Sequence, residues 1–158
     1  MNTIYLSLEE LQWVQFVLKS LTLEQKVGQV FCPTMMEETL TAEEQIEAYA
    51  TRLRDEMIRF VPGGYYLNRY YIPTTPTLLN QLLEIAPVPP LICADMEAGA
   101  GSGLGGVIAP GLVTFPPAMG IGATDSEQYA YQVGRCTAWQ ARAIGVHFVL
   151  APVLDVNI

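Results

Sequence analysis

A chain of 158 residues, 51% hydrophobic and 15% charged, has enough apolar material to bury a sizeable core and suits one ordinary globular domain, which excludes a disordered tail. Eight basic against sixteen acidic side chains give a net charge of -8, and no cluster of Lys and Arg is present to neutralise a run of phosphates, so nucleic acid is excluded as a partner class. Cys32, Cys93 and Cys136 are odd in number and lack CxxC or Cys/His spacing, so they read as buried thiols, with no metal site and no disulfide framework.

The chain opens on "MNTIYLSLEELQWV", which has neither the basic start, the unbroken apolar run nor the small-residue cleavage site of a secretory signal; a cytoplasmic protein is the default expectation. Residues 1–20 read as an N-terminal helix. Four helix starts carry capping-box spacing, in which two side chains satisfy each other's free backbone N–H: Ser7 with Glu10, Thr22 with Gln25, Thr41 with Glu44, and Thr124 with Glu127. A fifth helix is expected at Thr75, with Pro76 at its first position, where a missing N–H costs nothing. Ile46, Tyr49, Ala50, Leu53 and Met57 recur at helical spacing, as do Ala130, Val133, Thr137, Ala141 and Ile144; each set predicts a one-sided packing surface.

Between the helices lie short apolar runs bounded by Gly and Pro: "GQVFCP", "GGYYL", "PLICAD" and "HFVLAPVLD". None alternates apolar with polar residues, so both faces of each strand are expected to be buried, as in a parallel sheet covered by helices. Gly63 and Gly145 stand where a helix hands over to a strand, the usual position for a left-handed cap. Repeated β-α units leave two architectures, a doubly wound open sheet and a (β/α)8 barrel, and both place functional groups at the carboxyl ends of the strands. Asp95 and Asp155 stand at such ends.

The uncharged stretch 98–124 is long enough to suggest a membrane span, but three prolines and eight glycines would leave backbone groups unsatisfied in lipid, so it reads as a loop and no membrane partner is expected. Within it, Gly101, Gly103 and Gly106 make a formal GxGxxG. A dinucleotide fold needs a helix at once after the third glycine, and "VIAPGLVTFPPAM" cannot supply it, so no nucleotide cofactor is expected, nor any other.

Four stretches in order, "LTLEQKVGQVFCP", "ADMEAG", "TFPPAMGIGAT" and "GVHFVLAPVLDVN", resemble successive motifs of the family 3 glycoside hydrolases. The D-x-E-x-G form of the second is similar to the β-N-acetylhexosaminidase branch of that family. The resemblance implies the N-terminal half of a TIM-type (β/α)8 barrel of about four parallel β-α units, with residues 21–158 a partial barrel domain truncated after the fourth strand, since a complete barrel takes about 250 residues. It further implies a retaining, exo-acting enzyme that removes a terminal β-linked sugar, N-acetylglucosamine foremost, through an aspartyl nucleophile and a covalent glycosyl-enzyme.

By the same resemblance Asp95 matches the aspartate that grips hydroxyls of the terminal sugar, Glu97 lines the pocket or supports its loop, and Asp155 braces the site. The nucleophile and the general acid are expected beyond Ile158, so no catalytic residue is assigned and the 158 residues alone are expected to be inactive. The branch usually continues with two glycines and an Arg, where this chain has Ala98, Gly99 and Ala100; the function implied for that Arg is missing. Two other readings stay open: a half-barrel that binds carbohydrate or pairs with another chain, and a glycoside phosphorylase. The expected partners are a carbohydrate and either the remainder of the barrel or a second copy. His147, the only histidine, begins the fourth strand away from the mouth and is not expected to act. Trp13 and Trp139 read as outer-layer packing, and one of Tyr65, Tyr66, Tyr70 and Tyr71 is expected to reach the mouth.

Overall fold

The computed structural model describes residues 5–36, 43–69, 74–102 and 111–155. In chain order they form α1 (Leu8–Ser20), α2 (Leu23–Gly28), β1 (Thr34–Met36), α3 (Glu43–Phe60), β2 (Gly64–Arg69), α4 (Thr75–Ile85), β3 (Leu91–Asp95), α5 (Ala118–Gly122), α6 (Glu127–Ala143) and β4 (Phe148–Leu150). The strands make one parallel sheet in the order β1-β2-β3-β4. Each crossover advances the sheet by one strand in the same direction. A doubly wound fold reverses its strand order at a switch point, and no reversal occurs among the described residues. The α/β fold of four parallel strands is therefore that expected from the sequence, and it is consistent with the N-terminal half of a (β/α)8 barrel.

Local chemistry explains most of the boundaries. At α1 the Ser7 N–H donates to Glu10 Oε2 at 2.6 Å and the Glu10 N–H to Ser7 Oγ at 3.2 Å; Thr22 and Gln25 repeat the exchange at 3.0 and 3.2 Å. The bonds from Ser7 hold the Glu10 carboxyl below its ordinary value. The Thr41–Glu44 box falls partly outside the described residues. At α6 the expected cap is corrected: Ser126, not Thr124, accepts from the Tyr129 N–H at 3.4 Å, while Thr124 turns back and donates to the Ile121 carbonyl at 2.7 Å to close α5. Thr74 stands at the N-cap position of α4, so Pro76 falls at the second helical position, not the first.

The core lies on one side of the sheet only. Tyr65, Leu67, Ile92 and Ala94 point into it from β2 and β3, and meet Tyr49, Ala50, Leu53 and Met57 of α3, Leu78, Leu79 and Leu82 of α4, and Ala141 and Ile144 at the end of α6. Both helical stripes read from the sequence are present, but the second is covered only at its lower end. Thr137, Ala141 and Ile144 are buried, while Ala130 and Val133 border an open groove of about 880 Å³ shared with Met96, Ile121 and Val149. Helix α1 buries none of its residues. Among the described residues no helix is long and apolar enough to cross a membrane.

Three expectations change. "GQVFCP" is not a strand: Gly28 ends α2, residues 29–30 turn, and pairing starts only after Pro33, whose carbonyl accepts from the Tyr66 N–H at 2.9 Å. The left-handed residue after α3 is Val61 (φ 47), not Gly63, whereas Gly145 (φ 90) follows α6 as expected. Nor are both strand faces buried. Along β3 exposure alternates, from Leu91 at 61% to Ile92 at 1%, with Cys93 and Asp95 on the same open face as Leu91. Helices α3, α4 and α6 pack behind the other face, so an apolar run did not mean two-sided burial here.

Candidate functional site

On the open face the strand register lines up Thr34, Tyr66, Cys93 and Phe148, one from each strand. One step further toward the carboxyl ends, Asp95 stands opposite Leu150 as the last residue of β3. A strand end suits a binding carboxylate, because its backbone is held by the sheet while its side chain projects past the last pairing.

Of the two described among the four tyrosines, Tyr66 reaches this position; its hydroxyl donates to Asp95 Oδ2 at 2.5 Å. Tyr65 points to the opposite face and is 1% exposed, and Tyr70 and Tyr71 lie outside the described residues. Partial burial, then the hydrogen bond to Asp95 and the nearby charges of Asp95, Cys93 and Glu97, push the Tyr66 hydroxyl up to about 12. It therefore remains a donor at any physiological pH. A carboxylate offers about four acceptor positions, so with one occupied Asp95 keeps enough to receive two neighbouring hydroxyls of a ligand.

After Asp95 the chain turns inward. Met96, Gly99 and Ala100 are buried, and the turn is pinned by Gly99 N–H to the Met96 carbonyl (3.1 Å) and Ser102 Oγ to the Gly99 carbonyl (2.9 Å). Across it, the Phe115 N–H donates to the Ala98 carbonyl at 2.7 Å and the Gly101 N–H to the Val113 carbonyl at 2.9 Å. Gly99 has φ +93, and a Cβ there would come 2.7 Å from the Val113 carbonyl oxygen, so this glycine is required by both torsion and space. Ala100 is 0% exposed, so the position expected to carry an Arg in relatives faces protein in this chain.

Glu97 is exposed, lines the open groove beside α6, and contributes to the field on Tyr66. Asp155 is exposed, five residues beyond the last residue of β4. The structure thus brings Asp95 and Glu97 around Tyr66, and leaves Asp155 on the segment that follows the next strand. His147 is at the far end: its Nδ1 accepts from the Ile92 N–H at 3.1 Å, which ties β4 to β3. Trp139 is 63% exposed with the Arg135 guanidinium 4.2 Å above its ring, and Trp13 is 54% exposed, so neither packs in an outer layer as expected.

The cysteines also differ from expectation. Cys32 is exposed and Cys93 and Cys136 are half-buried, and the Cys32 and Cys93 sulfurs stand 3.7 Å apart on the open face. After the glycine loop, residues 111–117 are not helical, and the next helix, α5, has five residues.

Comparison with known proteins places this parallel β-α sheet in a family. Residues 75–158 match the model described as the glycosyl hydrolase family 3 N terminal domain, more than half of the chain, and the chain belongs to this family. A "Beta-N-acetylglucosaminidase/beta-glucosidase" of Cellulomonas fimi is 26% identical over 146 residues, which are 92% of this chain and 23% of that protein. Among solved structures, "Beta-glucoside phosphorylase BglX bound to 2FGlc" superposes with a TM-score of 0.77 at 27% identity, over 96% of this chain and 25% of its own. A second structure, "Beta-glucoside phosphorylase BglX", gives 0.73 at 26% identity, over 96% and 24%. The chain spans about a quarter of the length of each of these relatives.

Proposed function

We propose that residues 21–158 are the N-terminal part of the catalytic barrel of a retaining, exo-acting glycoside hydrolase that removes a terminal β-linked sugar, N-acetylglucosamine foremost, with residues 1–20 as a separate N-terminal helix. The observation that carries this reading is Asp95, a carboxylate at a strand end on an uncovered sheet face, tethered by Tyr66 and still rich in acceptor positions. Asp95 grips hydroxyls of the terminal sugar, Glu97 lines the pocket, and Asp155 braces the segment after β4. The choice of sugar is supported by the D-x-E-x-G stretch and by the name of the Cellulomonas fimi relative.

In this reading Asp95 is not the nucleophile. Its bond to the Tyr66 hydroxyl fixes the carboxylate at the strand end, where it is suited to holding the ring in register. The nucleophile and the acid come from residues other than Asp95, Glu97 and Asp155, and residues 1–158 by themselves bind without turnover.

The purified chain titrated with N-acetylglucosamine and followed by heteronuclear NMR should show saturable shifts at Asp95 and Tyr66, and in Asp95→Ala those at Tyr66 should need about 30–1000-fold more sugar to saturate. No binding, or binding indifferent to that substitution, overturns the sugar assignment. Cleavage of an aryl β-N-acetylglucosaminide by the chain alone, blocked by an active-site inhibitor, overturns the claim that it lacks the reacting groups.

A second reading, phosphorolysis, is favoured by one observation: both solved structures named above are beta-glucoside phosphorylases. In a longer polypeptide carrying this domain the products separate the two, since a phosphorylase yields the sugar 1-phosphate and only when phosphate is present.

A further inference from the structure

Cys32 and Cys93 are 61 positions apart in the chain, yet their sulfurs stand at 3.7 Å. Gly64 makes the meeting possible. It lies on β2 between the two cysteine-bearing segments, and a Cβ at that position would sit 3.3 Å from Cys32 Sγ, so any other residue would crowd the gap. The pair is open to solvent through the exposed Cys32.

The spacing is that of a chelate before anything is bound. Two bonds of about 2.3 Å from one metal to two thiolates, meeting near the tetrahedral angle, set the sulfurs about 3.8 Å apart. A direct bond would have to bring the sulfurs from 3.7 to about 2.05 Å, whereas one bridging atom reaches both where they stand.

We infer that Cys32 and Cys93 form a two-thiolate site for one thiophilic Lewis acid, of the class that includes trivalent arsenicals and soft closed-shell cations. Among the described residues no third His, Cys, Asp or Glu joins them, so the remaining coordination positions belong to the ligand's own substituents or to solvent. With phenylarsine oxide the step balances simply: each thiol gives up its proton, two As–S bonds form, the arsenic oxygen leaves as water, and no oxidation state changes.

The test uses the 158-residue chain and no sugar, so its failure leaves the glycosidase reading untouched. One equivalent of phenylarsine oxide should add one phenylarsenic unit, with loss of two hydrogens, to the intact mass. Subsequent N-ethylmaleimide under denaturing conditions should label Cys136 alone. Cys32→Ser and Cys93→Ser should each weaken capture by about a hundredfold, the loss expected when a second, tethered ligand is removed, and Cys136→Ser should not change it. Capture that survives either single substitution overturns the proposal, as does protection of Cys136. If a serine variant fails to fold by circular dichroism, the wild-type labelling pattern alone decides: Cys32 and Cys93 protected together support the site, and one protected without the other refutes it.

Discussion

Removing a single oxygen, in Tyr66→Phe, tests whether the tethered carboxylate is what binds sugar. The phenol donates to Asp95 at 2.5 Å, a charge-assisted bond of a kind worth about 1.5–3 kcal/mol. Tyr66 is only partly buried, so water replaces part of that bond, and the loss transmitted to sugar binding should lie at the lower end, about 1–1.5 kcal/mol, or about 5–12-fold in Kd. Asp95→Ala removes the binding group itself and should cost about 2–4 kcal/mol, about 30–1000-fold. The sharper measurement is the cycle. If Tyr66 acts by positioning Asp95, then Tyr66→Phe should have no further effect in an Asp95→Ala background, because nothing remains to be oriented. Binding constants from NMR titration of the four proteins, with circular dichroism to show that each is folded, complete the assay. Equal losses in both backgrounds would mean that Tyr66 meets the sugar independently, and the positioning argument would fail.

Gly99→Ala should destabilise the chain by about 1–3 kcal/mol, since it sets a β-carbon against the Val113 carbonyl at φ +93; an unchanged Tm would show that the loop is not held as described. Burial, with a smaller contribution from Arg142, holds the His147 imidazole below its ordinary 6.5, and the neutral ring accepts the Ile92 N–H. The unfolded chain then takes up its proton first, so this contribution to stability is complete above about pH 6.5 and declines as the pH falls below it, until the folded-state ring protonates as well. His147→Asn should flatten the dependence of Tm on pH in that window, and an identical slope would remove His147 as its source. Leu91, Phe148 and Leu150 are 61, 57 and 39% exposed on the open face of the sheet, so the chain should self-associate at micromolar concentration. Light scattering from a stable monomer would refute that.

The sequence by itself determined what depends on neighbours within a turn or two. Ser7 with Glu10 and Thr22 with Gln25 are bonds between residues three apart, so their spacing suffices to place two helix starts. The runs "GGYYL" and "PLICAD" announce β2 and β3, and Asp95 is legible as a strand-end acid because the apolar run stops there. Family membership was legible too, in motifs that follow one another along the chain. Where local rules allowed two answers, tertiary structure chose: Thr124 and Ser126 are both competent caps, and the turn that closes α5 occupies the first. The choice between Tyr65 and Tyr66 was likewise undecided, because consecutive strand residues point to opposite faces and only the pairing of β2 with β3, and the packing of α3 and α4 behind them, says which face is covered. Cys32 and Cys93 show the limit most plainly. Nothing local links residues 61 apart, and their meeting depends on β2 and β3 pairing beside the segment that leads into β1, with Gly64 leaving the room between them.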